Sequence, residues 1–177
     1  QWWRHTLQAA VFLTRLPLPA GGAAAGKLAD SAGAFPVVGA AIGAAAAASL
    51  LVASWLGLHP LACALIGLAA ASGLTGALHE DGLADVADGF GGGKSRAGKL
   101  KIMRDSRIGT YGVLAITFSV GVRAAVLSGM TSPAAAAAAL IAAGALSRAN
   151  MVAVMGRLDP ARKDGLSATA GRPGNSS

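Results

Sequence analysis

The chain's 177 residues suffice for one domain with a sizeable core. Only 13% are charged, against roughly 25% in soluble domains, while 54% are hydrophobic and mean hydropathy is +0.56, which excludes an ordinary soluble fold and points to lipid. The single cysteine, Cys63, excludes a disulfide framework and a thiolate metal site, and the few aromatics are not interleaved with the bases, so the net charge of +7 implies no nucleic acid.

In chain order, residues 1–33 open with Trp2, Trp3 and Leu7 beside Arg4 and His5, a mixture that suits a helix lying at a membrane interface. A secretory signal over 1–20 fits less well, because Arg15, Pro17 and Pro19 interrupt the apolar stretch. "LPLPAGGAAAG" then breaks the helix. Between Asp30 and Glu80 there is no Asp, Glu, Lys or Arg. Pro60 and the corner at 57–59 divide 34–78 into two lengths near the ~20 residues that cross ~30 Å of hydrocarbon, so this segment predicts a helical hairpin with Cys63 as a buried thiol. Within it "GAAIG", Gly39 to Gly43, is a small-xxx-small pair that lets helices approach closely.

Two further spans are expected over 110–130 and 133–155, joined by a short "TS" turn. Each holds an arginine, Arg123 and Arg148. An arginine inside a span costs roughly 2.5–3.5 kcal/mol even on insertion scales, which calls for an anionic partner in the bundle, an aspartate or a bound phosphate. The expected fold is therefore all-α: one polytopic membrane bundle with four transmembrane helices. Its parts are an interfacial segment 1–33, a hairpin 34–78, a charged loop 79–109, a second helical pair 110–156 and a tail 157–177. Lys and Arg number three in 1–33, six in 79–109 and four in 157–177, thirteen of the fifteen, whereas the two opposite corners carry none. That asymmetry places both ends and the charged loop in the cytoplasm.

The loop gathers five of the eight acids. Asp81, Asp85 and Asp88 recur at i, i+4 and i+7, which on a helix is one stripe about 60° wide. Like charges on one stripe repel. A divalent cation removes that repulsion, and hard carboxylate oxygens suit Mg²⁺ held together with substrate phosphates. The alternative is a solvated acidic face, disfavoured so close to a span. Asp105, just before the third span, is a plausible fourth carboxylate. Glu80 points about 100° off the stripe and reads as solvated or supporting. "DGFGGGKS" misses the phosphate-loop pattern, because the first glycine's place is taken by Asp88. Its glycines read as a mobile loop that closes over a substrate. Six bases from Lys94 to Arg107 then surround the carboxylates, as a diphosphate substrate requires. His79, one turn from the stripe and on the opposite face, reads as structural more readily than as a proton carrier.

"FLTRLPLP", "FPVVGAAIG", "ALHEDGLADVADGFGG", "IMRDSRIGTYG", "ALSRAN" and "ARKDGL" stand in the order seen in the cobalamin synthase family, which the chain resembles over nearly all its length. Family members run on through further spans and a Gly-Asp motif beyond the part matched. The resemblance implies an inner-membrane ribazoletransferase of vitamin B12 biosynthesis, with its active site facing the cytoplasm. There a hydroxyl of α-ribazole, or of its 5′-phosphate, attacks adenosylcobinamide-GDP with Mg²⁺ and releases GMP. By position it implies Asp81, Asp85, Asp88 and Asp105 as metal ligands. Arg15, Arg104, Arg107 and Arg148 fall to phosphate binding, and an aspartate or His79 to taking the proton. Association with further copies of the chain stays open. A CDP-alcohol phosphotransferase is disfavoured because "DVADG" continues as "FGGGKSR", a prenyltransferase because one acidic cluster stands where two are usual, and a transporter because the ionisable groups concentrate in one loop.

Overall fold

A computed structural model describes residues 2–19 and 27–174. Among them there is no β-strand; the elements are a 3₁₀ turn at Leu28–Ala34 and helices α1 (Trp2–Leu13), α2 (Phe35–Trp55), α3 (Pro60–Thr75), α4 (Leu78–Gly92), α5 (Arg96–Ile102), α6 (Thr110–Ser128), α7 (Pro133–Arg157) and α8 (Leu166–Ala170). Local chemistry sets the boundaries. Pro60 and Pro133 open α3 and α7, behind caps from His59 Nδ1 to the Leu61 amide (3.2 Å) and from Ser132 Oγ to the Ala135 amide (3.1 Å). The break expected at 16–26 falls partly on 20–26, outside the described residues.

Three helical segments are long and apolar enough to cross a membrane: Leu28–Trp55, Thr110–Ser128 and Pro133–Arg157. The fourth expected span differs. Apolar sequence continues to residue 78, but α3 has 16 residues and ends at Thr75, short of the ~20 a straight crossing needs. Gly76 and Ala77 take left-handed backbone (φ +61° and +57°), and α4 leaves at 91° to α3. A fourth crossing therefore exists only if this bent pair is one broken span. The bend turns the acidic helix out of line with the bundle. Arg15 packs its side chain on Gly76, where a Cβ would collide with it, and its amide donates to the Leu74 carbonyl at 2.7 Å.

The core runs along α2, which packs on α7 and α3; α3 meets α6, and α6 meets α4. "GAAIG" earns its spacing at the α2–α7 crossing: a Cβ on Gly39 would strike the Gly144 carbonyl, and one on Gly43 the backbone at Leu140 and Ile141. Gly144→Leu is expected to cost about 3 kcal/mol or more by forcing these backbones apart, read as a lower thermal midpoint in detergent; an unchanged midpoint would refute the close crossing. The N-terminal helix docks as well as lying exposed. Its Ala9 and Leu13 are fully buried beside Phe35, Val38 and Ile42, and Phe12 stacks on Phe35 at 5.9 Å, while Trp2 and Trp3 face outward. Cys63 is buried, its Sγ 3.4 Å from the Leu58 carbonyl. Large apolar side chains such as Trp55, Phe118, Val122 and Leu146 project outward from the long helices, an exposure that suits segments long and apolar enough to cross a membrane.

Candidate active site

The acidic stripe forms on α4, and the residues after it fold back over it. A cleft of about 440 Å³ is lined by Asp81, Asp85, Asp88 and Asp105 together with Arg104 and Arg107. The two clusters that sequence separates by a span of glycines and bases thus share one cavity. The glycines are not a free loop, which corrects the reading of a mobile lid. Gly89 continues α4 against Met103, Gly91 lies against the Tyr111 ring, and Gly93 lies against Lys99; a Cβ at any of the three would collide. They let α5 and α6 close on α4, and Lys99 adds its ammonium 4.0 Å above the Phe90 ring.

The four carboxylates have different tasks. Asp88 is buried and accepts from two backbone amides, Gly109 at 2.7 Å and Gly112 at 2.9 Å. Both amides belong to the start of α6, so an acid on α4 caps a neighbouring helix and meets its positive end. A Cβ at 109 or 112 would run into that carboxylate, which explains both glycines. Asp105 is taken by Arg107, whose Nη2 and Nε reach its two oxygens at 2.8 and 3.1 Å. These bonds from the Arg107 side chain hold the Asp105 carboxyl down at about 2. Asp81 is exposed and Asp85 half-buried. Burial, then the carboxylates of Asp81 and Asp88, push Asp85 above the usual carboxylate range, with Arg162 opposing.

Of the bases, Arg104 pairs with Asp164 and Arg96 donates to the Ala161 carbonyl, which ties the segment after α7 to this face. That strap explains Arg162 near Asp85, a residue whose part was signalled only by the "ARKDGL" motif. Arg15 stands at the head of α4, on Gly76, and does not line the cleft. His79 and Arg148 do not line the cleft; they lie in a second cavity with Arg123, and Glu80 lines both. Glu80 is correspondingly not solvated: its side chain is 16% exposed and its Oε1 lies 3.5 Å from Arg123 Nη2. The partner expected for Arg123 and Arg148 was an aspartate or a bound phosphate; for Arg123 it is instead this glutamate beside the stripe.

Among the described residues no three His, Cys, Asp or Glu side chains group so as to hold a metal ion by themselves. The donor set nonetheless fits Mg²⁺, an ion usually held by one or two carboxylates together with substrate phosphates. Asp81 and Asp85 are the carboxylates left uncommitted, and the repulsion that raises Asp85 is the kind a cation relieves.

A family model described as cobalamin-5-phosphate synthase matches residues 5–176. Proteins named adenosylcobinamide-GDP ribazoletransferase are similar throughout. That of Azorhizobium caulinodans is 54% identical, covering 92% of this chain and 64% of the relative. That of Bradyrhizobium diazoefficiens is 49% identical, covering 93% and 64%, and that of Sinorhizobium medicae 43% identical, covering 98% and 68%. The chain thus spans just under two thirds of the length of the first two. No solved structure shows a significant match.

Proposed function

The chain belongs to the cobalamin-5-phosphate synthase family, and we propose from that premise that it carries the phosphoryl-transfer face of an adenosylcobinamide-GDP ribazoletransferase. In this reading a hydroxyl of α-ribazole, or of its 5′-phosphate, attacks the phosphoryl that bears cobinamide. The bond to the GMP portion breaks, GMP departs with the electron pair, and the hydroxyl proton passes to a carboxylate of the stripe. One observation carries the proposal: the four aspartates, with Glu80 beside them, and two arginines line a single cleft.

Asp81 and Asp85 would hold Mg²⁺. Bound there, the ion would supply charge neutralisation at the diphosphate oxygens. Arg104 and Arg107 add cations to the same wall for the charge that gathers on the departing phosphate. Asp88 keeps α4 and α6 in register, so that the stripe faces the arginines. The membrane is proposed to be the inner membrane with the cleft in the cytoplasm. Support comes from the Lys and Arg count, since the corners between α2 and α3 and between α6 and α7 carry neither residue.

The test supplies adenosylcobinamide-GDP, α-ribazole and Mg²⁺ to the chain in detergent and follows GMP. Release that needs both substrates and stops on chelation is expected. Release without α-ribazole would overturn the reading. So would silence both from this chain and from the chain extended with the remaining third of a relative.

A further inference from the structure

At its head α4 turns His79 and Glu80 into the bundle. Farther along, the helix has a bare apolar face. Leu83, Val86 and Phe90 stand at i, i+3 and i+7, one stripe about 60° wide and roughly 160° from the stripe of aspartates. All three are exposed, Val86 by 50% and Phe90 by 64%, and none of them lines the acidic cleft. A helix with acids on one face and large apolar side chains on the other needs a different environment for each.

The neighbours of α4 fix the level of that stripe. α4 packs on α6, a helix long and apolar enough to cross a membrane. Gly91 lies against the Tyr111 ring, and Leu83 shares a small pocket with Ser119, so the stripe runs beside residues 111–119. On that length of α6, Tyr111, Leu114 and Phe118 have the same i, i+3, i+7 spacing and are likewise exposed. The two stripes meet at Tyr111 and make one apolar patch. Cations stand at its end: the Lys99 ammonium lies 4.0 Å above the Phe90 ring, and Lys94 is exposed just beyond.

We propose that this patch is a lipid-docking surface, and that α4 sits half-immersed in the bilayer on the level of the first half of α6. Leu83, Val86 and Phe90 lie among acyl chains, Lys94 and Lys99 reach the headgroup phosphates, and Asp81 and Asp85 turn to water. The lysines suit that boundary, because their stems cover apolar surface while their ammonium groups meet anionic lipid. Lipid fits the stripe better than a protein partner does. Leu83, Val86, Ala87 and Phe90 offer no side-chain hydrogen bond, whereas protein interfaces carry about one hydrogen bond per 100–200 Å². The proposal rests on the reading of α6 as a membrane span and not on the transferase reading; it holds whatever the acids bind.

Spin-label accessibility decides the matter without any turnover. Leu83→Cys, Val86→Cys and Phe90→Cys are made singly in the Cys63→Ala chain, labelled with a nitroxide and placed in phosphatidylcholine–phosphatidylglycerol nanodiscs. Asp81→Cys reports the opposite face of α4, and Phe118→Cys reports α6. Relaxation by oxygen, which concentrates among acyl chains, is compared with relaxation by a water-soluble nickel chelate. Oxygen is expected to dominate at 83, 86, 90 and 118 and the nickel chelate at 81, with helicity by circular dichroism unchanged throughout. Nickel dominating at 86 and 90 while oxygen dominates at 118 would overturn the proposal and leave α6 in the membrane. Nickel dominating at 118 as well would overturn the spanning reading with it. The same labels are read in the chain extended with the remaining third of a relative. Exclusion of both agents from 86 and 90, in either form, would overturn the proposal in favour of a protein cover, a second copy or the added segment.

Discussion

Asp88→Ala is expected to be the most destabilising single change in the acidic helix, at about 3–5 kcal/mol, or a thermal midpoint lower by roughly 10 °C. The carboxylate is buried and each oxygen takes one amide of α6, at 2.7 and 2.9 Å. Bonds of that kind to a charged acceptor contribute about 1.5–3 kcal/mol each, and their loss leaves two buried N–H groups without partners. No other side chain replaces them, because the flanking positions 109 and 112 are glycines, kept small by the carboxylate itself. Asp88→Asn keeps the shape and one accepting oxygen but turns an NH₂ toward the second amide, so about half the loss is expected. GMP release should fall in both variants in step with the midpoint. An Asn variant with an unchanged midpoint but no activity would reverse the assignment and make Asp88 a ligand rather than a cap.

That residue shows how far the sequence could be read. Its spacing with Asp81 and Asp85 put it on the stripe, and it is there. The spacing could not reveal that one member of the stripe is spent on structure, because the amides that claim it lie 21 and 24 residues away. The glycines after it were visible but misread for the same reason. Composition says that glycine permits motion, and only the packing of Tyr111, Met103 and Lys99 shows that here it permits contact. Long apolar runs and the small-residue pair were legible because lipid crossing and close helix approach are nearly one-dimensional requirements. The bend after Thr75 was not, since it depends on two consecutive left-handed residues, one of them Ala77, within an unbroken apolar run. Glu80 reads from its angle as solvated or supporting, and the first of these does not hold. An off-stripe residue on a surface helix meets water, but this helix has the bundle behind it, and the intramembrane arginines wait there.

Asp85→Asn should act in the opposite way to Asp88→Ala, lowering GMP release on the order of 10²-fold or more while leaving the fold at least as stable. The sign follows from the carboxylate's surroundings. Burial, Asp81 and Asp88 raise the Asp85 carboxyl in the folded chain above its unfolded value. A group so shifted stabilises the fold most when protonated, at pH below its unfolded value, and that contribution fades as pH rises through the folded value. At neutral pH the ionised carboxylate therefore works against folding, and the neutral amide removes the repulsion without removing volume. Mg²⁺ separates this from a merely repulsive acid. The ion should raise the thermal midpoint of the wild-type chain, chelator should reverse the rise, and Asp85→Asn should lose most of it, because a ligand stabilises the state that binds it. Equal Mg²⁺ stabilisation of both proteins would move the ion away from Asp85, and the arginines of the cleft would then face an acid whose work is electrostatic alone. A variant that loses activity, gains midpoint and no longer responds to Mg²⁺ is the pattern that a carboxylate kept ionised for a cation must give.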